Sequence, residues 1–307
     1  LDVRDNGGGL VEAAEMLLQL LTPRRIEPGR MQFIANDAVR DLCRQQRPSN
    51  PRARSDLSAW LPSVEHALAN GGRYSAALPM DDPAAMNAIG QRYHGPVVLL
   101  TSALCYSATD IFIAGFRDHG IGWIIGVDHN TGAGGANVWT EKQLRYALGA
   151  EGGELGSLPR GSGLRVALRR SLRVGAQAGT ELEEIGVAPD EVVPATRRDA
   201  LEGSVDLIAL AARRLTEREW FRLDAEIVAR PDGERVLVVS TRAIERLDAT
   251  LDGRPLWSDR IAPHPSGKDG MKTPDYALPP RVHGTLELHG YRRGRLVAAR
   301  KLSLARS

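Results

Sequence analysis

Ser107 stands where a short apolar run, Val97-Val98-Leu99-Leu100, gives way to a segment with helical spacing at Ile111, Phe112, Ala114 and Phe116. A hydroxyl at such a junction lies at the carboxyl end of a strand, the usual place for a site in an α/β protein. The first N–H groups of the following helix have no intrahelical partner and can stabilise an oxyanion. The segment Thr101-Ser102-Ala103-Leu104-Cys105-Tyr106-Ser107-Ala108-Thr109-Asp110 therefore suits a nucleophilic serine. It equally suits a serine that only N-caps the helix, which is the commoner use of the position. Cys105 is a nucleophile by type, but its aliphatic and aromatic neighbours make it a small buried apolar residue.

Two further segments bear on chemistry. In Asp2-Val3-Arg4-Asp5-Asn6-Gly7-Gly8-Gly9, consecutive glycines after a strand-like stretch let the backbone approach a ligand closely. The same residues also make a plain strand-to-helix turn. A nucleotide site is not indicated, because neither GxGxxG nor Gly-Lys-Ser/Thr is present. Glu183-Glu184-Ile185-Gly186-Val187-Ala188-Pro189-Asp190 reads on its own as a loop with two solvated carboxylates.

The elements that must position these residues are short. Leu10 to Leu21 reads as an apolar helix, and residues 22 to 94 as an inserted helical region. Within that region Asp37 to Arg44 and Ser55 to Asn70 have helical spacing, with Ser55 as an N-cap, Gly71-Gly72 as a stop and a solvated loop at Arg47 to Arg54. Val97 to Leu100 and Trp123 to Val127 are continuous apolar runs, as expected of strands buried on both faces. Asn130 to Gly135 is a Gly-rich loop, Leu164 to Val174 a half-exposed strand or hairpin, and Gly203 to Leu215 an amphipathic helix. From about residue 217 the pattern changes to strands at 221–229, 234–241, 247–256, 284–289 and 295–304, with turns at Pro231-Asp232-Gly233 and Asp252-Gly253 and a long polar loop from His264 to Pro280. The expected class is α/β over 1–216, followed by a small antiparallel β-sandwich domain over 217–307.

Composition narrows the function class. The chain has 307 residues, with 40 basic against 38 acidic side chains, so no global charge points to nucleic acid or an anionic membrane. No apolar run reaches the roughly 18 residues of a membrane-spanning helix. Two cysteines, Cys43 and Cys105, exclude a disulfide scaffold and a cysteine zinc site. Leu1-Asp2-Val3-Arg4 reads as the end of a strand without an initiator Met, so upstream sequence is expected.

In this order the segments resemble the tail-specific, or C-terminal-processing, serine proteases, a family that includes the tricorn core protease and relatives of the interphotoreceptor retinoid-binding protein. That family carries D-x-R-x-N-x-G-G, seen here as Asp2 to Gly9, and T-S...S-A-x-E/D-x-F, seen as Thr101 to Phe112. It also carries G...T-x-G-x-G, matched by Gly126 to Gly135, and E-x-x-G-V-x-P-D, matched by Glu183 to Asp190. The resemblance covers roughly residues 1 to 215. It implies a crotonase-like spiral of ββα units, with the helical insertion capping the cleft, and peptide-bond hydrolysis through an acyl-enzyme on Ser107. It implies an oxyanion hole from the N–H of Ala108 and one from the Gly7-Gly8 turn, a polypeptide substrate, and no metal or cofactor. It also implies a bacterial periplasmic or envelope setting, and homo-oligomers are compatible with it.

The base is the open question. Lys-using members place a Lys three residues after the Thr of T-x-G-x-G, and here Gly134 occupies that position after Thr131. The chain has four lysines, and Lys142 is the next downstream, on the following helix. Asp118 matches an acidic position of that branch and is read as a helix-end structural residue. The tricorn-like branch pairs Ser with a His from upstream of the D-x-R-x-N-x-G-G strand and a Glu, onto which Glu183 falls. The expected partner is thus the chain's own upstream segment. Within the chain, His119 lies about 18 Å along the helix from Ser107 at 1.5 Å per residue. His129 is the best internal candidate; His66 and His94 lie in the inserted region, and His264, His283 and His289 belong to the β region. Two other readings stay open: a catalytically inactive relative that binds peptides or acts as a scaffold, and a crotonase-like acyl-CoA enzyme, which would need no serine nucleophile.

Overall fold

The computed structural model describes residues 1–46, 56–135, 138–148, 158–231, 234–261, 271–272, 276–278 and 283–304. The expected Ser55 cap, the loop at 47–54, most of the loop at 264–280 and the turn residues Asp232 and Gly233 lie outside them. The first part runs α1 (Val11–Leu21), β1 (Arg30–Phe33), α2 (Asp37–Gln45), α3 (Leu61–Ala69), β2 (Leu78–Pro79), α4 (Pro83–Met86), β3 (Val98–Thr101), α5 (Ala108–Asp118), β4 (Trp123–Gly126), β5 (Val138–Thr140) and α6 (Glu141–Ala147). It continues through β6 (Arg165–Ala167), β7 (Arg169–Leu172), β8 (Glu191–Val192), α7 (Arg197–Glu202) and α8 (Val205–Thr216). Strands follow: β9 (Arg222–Ala229), β10 (Arg235–Arg242), β11 (Arg246–Leu251), β12 (Arg254–Arg260), β13 (Met271–Lys272), β14 (Tyr276–Ala277), β15 (Gly284–Arg292) and β16 (Arg295–Leu304). The chain is a mixed α/β protein with several small sheets.

The sheet that carries the site is parallel, in the order β3-β4-β8, with Thr101 opposite Gly126 and Gly126 opposite Val192. Successive side chains of a strand point to opposite faces. Leu99 and Ile124 therefore enter one core with Leu18 of α1 and Ile113 and Phe116 of α5. Val98, Leu100 and Ile125 enter a second core with Leu207 of α8. Both faces are covered, which is why the runs read as continuously apolar. Each fully buried Leu or Ile contributes on the order of 1.5–3 kcal/mol. A charge at either face would have no partner. α5 is buried along nearly its whole length, consistent with a helix wedged beneath a sheet.

The region 22–94 departs from the helical expectation. β1 lies within it and pairs antiparallel with β7, from Arg30 opposite Leu172 to Phe33 opposite Arg169, and also with β2. Met31 and Phe33 from β1, with Val39, Leu42, Trp60 and Val64, join the same core as α1 and α5. The region is integral to the core rather than an added helical cap. Four residues of alternating exposure are too few to stand out in sequence, and their partner lies far along the chain. Leu164 to Val174 likewise divides, β6 pairing with β5 and β7 with β1. The helix expected from Ser55 begins only at Leu61, after a 3-10 turn at Ser58–Trp60, with Pro62 in its first turn.

The strands after Arg222 form two antiparallel sheets, β9 with β10, β13 and β14, and β12-β11-β15-β16. Leu223, Leu237 and Val239 of the first and Leu247, Leu286, Leu288 and Ala298 of the second share one hydrophobic cluster. These strands touch the first part of the chain through backbone capture. Ala299 N–H donates to Gln91 (2.9 Å), and Lys301 Nζ donates to the Asn87 carbonyl (3.2 Å).

α1 carries a buried carboxyl, Glu15, whose Oε1 accepts the Gly29 N–H at 2.6 Å. Burial pushes Glu15 up to about 8, and the facing Asp81 is raised by burial too. The pair is most favourable with a proton on Glu15, donated towards Asp81. A folded-state pKa raised above its unfolded value gives stability that is present below the unfolded value and lost as pH rises through the folded one. The melting temperature should therefore fall by several degrees as pH is raised from about 5 to about 9. Glu15→Gln, which keeps a donor for Asp81, should flatten that fall. An equal slope in thermal melts of parent and variant would contradict this assignment.

Candidate active site

Three chain segments meet at Ser107. The first, Leu1 to Gly9, runs beside β3: Leu100 N–H donates to the Leu1 carbonyl (2.9 Å) and Val3 N–H to the Leu100 carbonyl (3.1 Å). Its turn is tied down by Asp5, whose N–H donates to Ser102 Oγ and whose carboxylate accepts from the same hydroxyl, both at 3.0 Å. The second segment is the β3–α5 connection. The third is the Gly-rich loop after β4. Gly132 N–H donates to the Cys105 carbonyl (3.0 Å) and Ser107 N–H to the Gly134 carbonyl (3.1 Å), while Tyr106 N–H donates to the Asn6 carbonyl (3.1 Å).

These bonds hold Ser107 at φ 57° and ψ −126°, a region that side chains other than glycine rarely occupy. Such a residue costs about 1–3 kcal/mol and persists only where its surroundings impose it. Ser107 occupies the N-cap position of α5, yet its side chain makes no capping hydrogen bond. The cap role, which would have consumed the hydroxyl, is not what the geometry shows. Gly8, at φ +106°, packs against this point. A Cβ there would lie 2.6 Å from Ser107 Cβ and 2.7 Å from the Tyr106 carbonyl oxygen.

Ala108 N–H, at the start of α5, has no hydrogen-bond partner among the described residues. Gly8 N–H does: it donates to Asn6 Oδ1 at 2.9 Å. The expected contribution of Gly8 to an oxyanion hole is thus occupied in this conformation, whereas Gly7 N–H has no described partner. Gly8 instead supplies the close approach of backbones.

The Gly-rich loop is anchored beneath by Asp110, fully buried one turn into α5, whose Oδ2 accepts the Gly134 N–H at 2.8 Å. Burial raises the Asp110 carboxyl from its ordinary value, against the lowering effect of those hydrogen bonds. The Tyr106 ring covers the loop from outside; a Cβ at Gly132 or Gly134 would fall 2.2 or 2.1 Å from it. Ala133, standing in the middle of that Gly-rich stretch, takes φ 59°.

Glu183 lies on the far side of the same loop. Its two carboxylate oxygens accept the Ser171 N–H at 2.9 and 2.8 Å, and Ser171 Oγ donates to the Gly135 carbonyl at 2.9 Å. A Cβ on Gly135 would lie 3.3 Å from Glu183 Oε1. Gly134 bonds Ser107 and its neighbour Gly135 touches Glu183, so one dipeptide links the two. Burial raises the Glu183 carboxyl above the usual carboxylate range. Nearby Arg169 is buried, its guanidinium lowered by burial to about 10 against the attraction of Glu183 and Asp81. Glu184 is exposed, at φ 67°. Asp190 fixes the loop that carries both: Oδ2 accepts the Ile124 N–H at 2.8 Å, and Arg117 of α5 pairs with Oδ1.

No histidine is hydrogen-bonded to Ser107 or Glu183 among the described residues. His119 Nε2 meets the backbone of Glu27, His94 meets the Ala299 carbonyl (3.2 Å), His66 meets Asn70 and His289 faces Glu287. His129 is exposed, and so is Lys142 on α6. His264 lies outside the described residues. Asp118 makes a buried bidentate pair with Arg173, matching its reading as a structural residue. Cys105 is fully buried, its thiol donates to the Val3 carbonyl (3.1 Å), and burial pushes it up. Asn6 and Asp110 sat inside recognised motifs without a role. Ser171 and Arg169 had no signal at all in a strand of alternating Arg and apolar residues.

Similarity to known proteins agrees with the motif order. Residues 1–193 match the description of peptidase family S41. No curated protein matches the chain. Similar solved structures include mature CPAF complexed with lactacystin, at 18% identity and TM-score 0.47, covering 71% of this chain and 44% of that one. A putative peptidase from Parabacteroides merdae gives 22% identity and TM-score 0.41, covering 70% and 50%. A photosystem II D1 C-terminal processing protease gives 19% and 0.32, covering 63% and 33%. The chain thus spans half or less of the length of these structures. With the family description matched over well more than half of its residues, this chain belongs to peptidase family S41, the tail-specific, C-terminal-processing proteases.

Proposed function

We propose that this chain carries the nucleophile, part of the oxyanion hole and the orienting carboxylate of a serine peptidase that cleaves peptide bonds through an acyl-enzyme on Ser107. The observation that carries the reading is the strained Ser107 at the head of α5, with its hydroxyl uncommitted to capping and the adjacent Ala108 N–H unpaired. In this reading Ser107 Oγ attacks the scissile carbonyl carbon as a base removes its proton. Negative charge then develops on the carbonyl oxygen beside the Ala108 and Gly7 N–H groups. The proton passes to the leaving amine, and water later hydrolyses the ester.

A serine needs a base, and a base needs orientation. We assign the base to a histidine supplied from outside residues 1–307, and its orientation to Glu183. Support comes from the partners that His66, His94, His119 and His289 have elsewhere, from the exposure of His129, and from the placement of Glu183 across Gly134-Gly135 from Ser107. That no described histidine is hydrogen-bonded to Ser107 or Glu183 also favours one other reading, an inactive relative that binds peptides. The parallel sheet with helices on both faces supports a crotonase-like core, and the two strand-only sheets support a separate sandwich domain from about residue 217.

Ser107→Ala should abolish peptide hydrolysis by the full-length protein while leaving its melting transition in place. Near-parental turnover would overturn the nucleophile assignment, and a parent with no hydrolytic activity would favour the inactive relative. Ser107→Gly should also be inactive but more stable by roughly 1 kcal/mol, because glycine accepts the positive φ without strain. A variant less stable than the parent in thermal melts would remove the strain argument.

Glu183→Gln should lower kcat by on the order of a hundredfold with little change in KM, since its interaction strengthens as the base becomes charged. Glu184→Gln should be nearly silent. Because burial raises Glu183, the acid limb of the kcat profile should lie above the usual carboxylate range. Sensitivity at Glu184 instead, shown by steady-state kinetics, would move the assignment by one residue.

A further inference from the structure

A cavity of about 770 Å³ opens at the opposite end of α5 from Ser107, between the first part of the chain and the β15–β16 turn. Helix rise over the intervening residues puts its wall about 18 Å from the nucleophile. Its charged lining is one-sided: Arg24, Arg214, Arg218, Arg292, Arg293 and Arg295 face Glu217 and Glu219. His94 and His119 also line it. Some of this charge is already paired. Glu191 holds Arg214 through two bonds at 2.9 and 3.0 Å, Glu219 faces Arg292 at 3.6 Å, and Arg218 lies over the Trp123 ring at 5.0 Å. Arg24, Arg293 and Arg295 are exposed and make no ion pair with a described carboxylate.

Two features decide what kind of anion fits. The floor is apolar, built from Val97, Ile121, Phe221, Leu296 and Val297. The carboxyl ends of α1, α5 and α8 all reach the cavity, at Leu21–Thr22, His119–Gly120 and Glu217–Arg218. Helix carboxyl ends carry partial negative charge, which opposes any anionic group set against them and most strongly a compact, highly charged one such as a polyphosphate; separated carboxylates can bind only on the arginines, away from those ends. An apolar floor would add nothing to its binding. Several guanidinium forks on long stems in one lining instead match separated carboxylates. The volume lies within the range of built ligand sites.

We propose that this cavity binds an acidic peptide segment, its carboxylates on Arg24, Arg293 and Arg295 and its intervening apolar side chains on the floor. The site involves neither Ser107 nor Glu183, so it can be tested in a chain that cannot hydrolyse anything.

Fluorescence anisotropy of a labelled peptide alternating Glu and Leu should show saturable binding to this chain carrying Ser107→Ala, weakening with added salt. The triple variant Arg24→Glu, Arg293→Glu, Arg295→Glu should weaken binding by roughly tenfold or more, as expected where several charge pairs are reversed at once. A matched triple, Arg160→Glu, Arg165→Glu, Arg254→Glu, removes the same charge from exposed arginines elsewhere and should leave binding unchanged. In the unsubstituted chain, the peptide should protect Arg24, Arg293 and Arg295 from phenylglyoxal, a readout that needs no variant to fold. Equal loss in both triples, no protection of these arginines, or no saturable binding would overturn the proposal. Displacement of the peptide by tripolyphosphate at a lower concentration than by unlabelled peptide would overturn it too, in favour of a compact anion.

Discussion

The backbone of Ser107 is held where only glycine is comfortable, and the surrounding structure follows from what that demands. Three N–H to carbonyl bonds impose the conformation: Tyr106 on Asn6, Ser107 on Gly134 and Gly132 on Cys105. The partners lie in two loops besides its own, the first turn and the Gly-rich loop, so each of these must itself be fixed. Asn6 is placed by pairing of the first residues with β3 and by the Asp5–Ser102 exchange. Gly134 is placed from below by Asp110 and from above by the Tyr106 ring. Strain of about 1–3 kcal/mol is sustained because several independent contacts over-determine one residue.

The same logic explains why β3 and α5 are so thoroughly buried. A serine held against its preference needs rigid elements on both sides of it. Both faces of the parallel sheet are covered, and almost every residue of α5 up to Phe116 is buried. Buried charge is handled by pairing, as with Asp118 and Arg173, or by retaining a proton, as with Glu15 beside Asp81. Glu183, half-buried, is held by two contacts with a single backbone N–H.

What the sequence made legible was local and contiguous. The β3–Ser107–α5 junction could be read from apolar runs and helical spacing, and the turn at Asp252-Gly253 from its residues, although the single strand expected over 247–256 divides there into β11 and β12. Motif order carried the family. What stayed hidden was nonlocal. β1 could not be read because its alternation spans four residues and its meaning comes from β7. Ser171 and Arg169 come near Glu183 because β7 also pairs with residues 180–182, where Leu182 N–H donates to the Ser171 carbonyl. The occupied N–H of Gly8 depends on the rotamer of Asn6, which no pattern of residue types specifies. The capping alternative for Ser107 was likewise a matter of geometry: its side chain makes no capping hydrogen bond.

Two ends of one helix thus face different chemistry. The amino end of α5 presents the unpaired Ala108 N–H beside a serine, and its carboxyl end opens on a cavity lined by arginines. The most direct test of the role proposed for its amino end is covalent. After treatment of the full-length protein with a fluorophosphonate, proteolysis and mass spectrometry should place the adduct on Ser107 alone. An adduct on another serine, or none from a protein that remains folded and hydrolytically active, would contradict the assignment of Ser107 as the nucleophile.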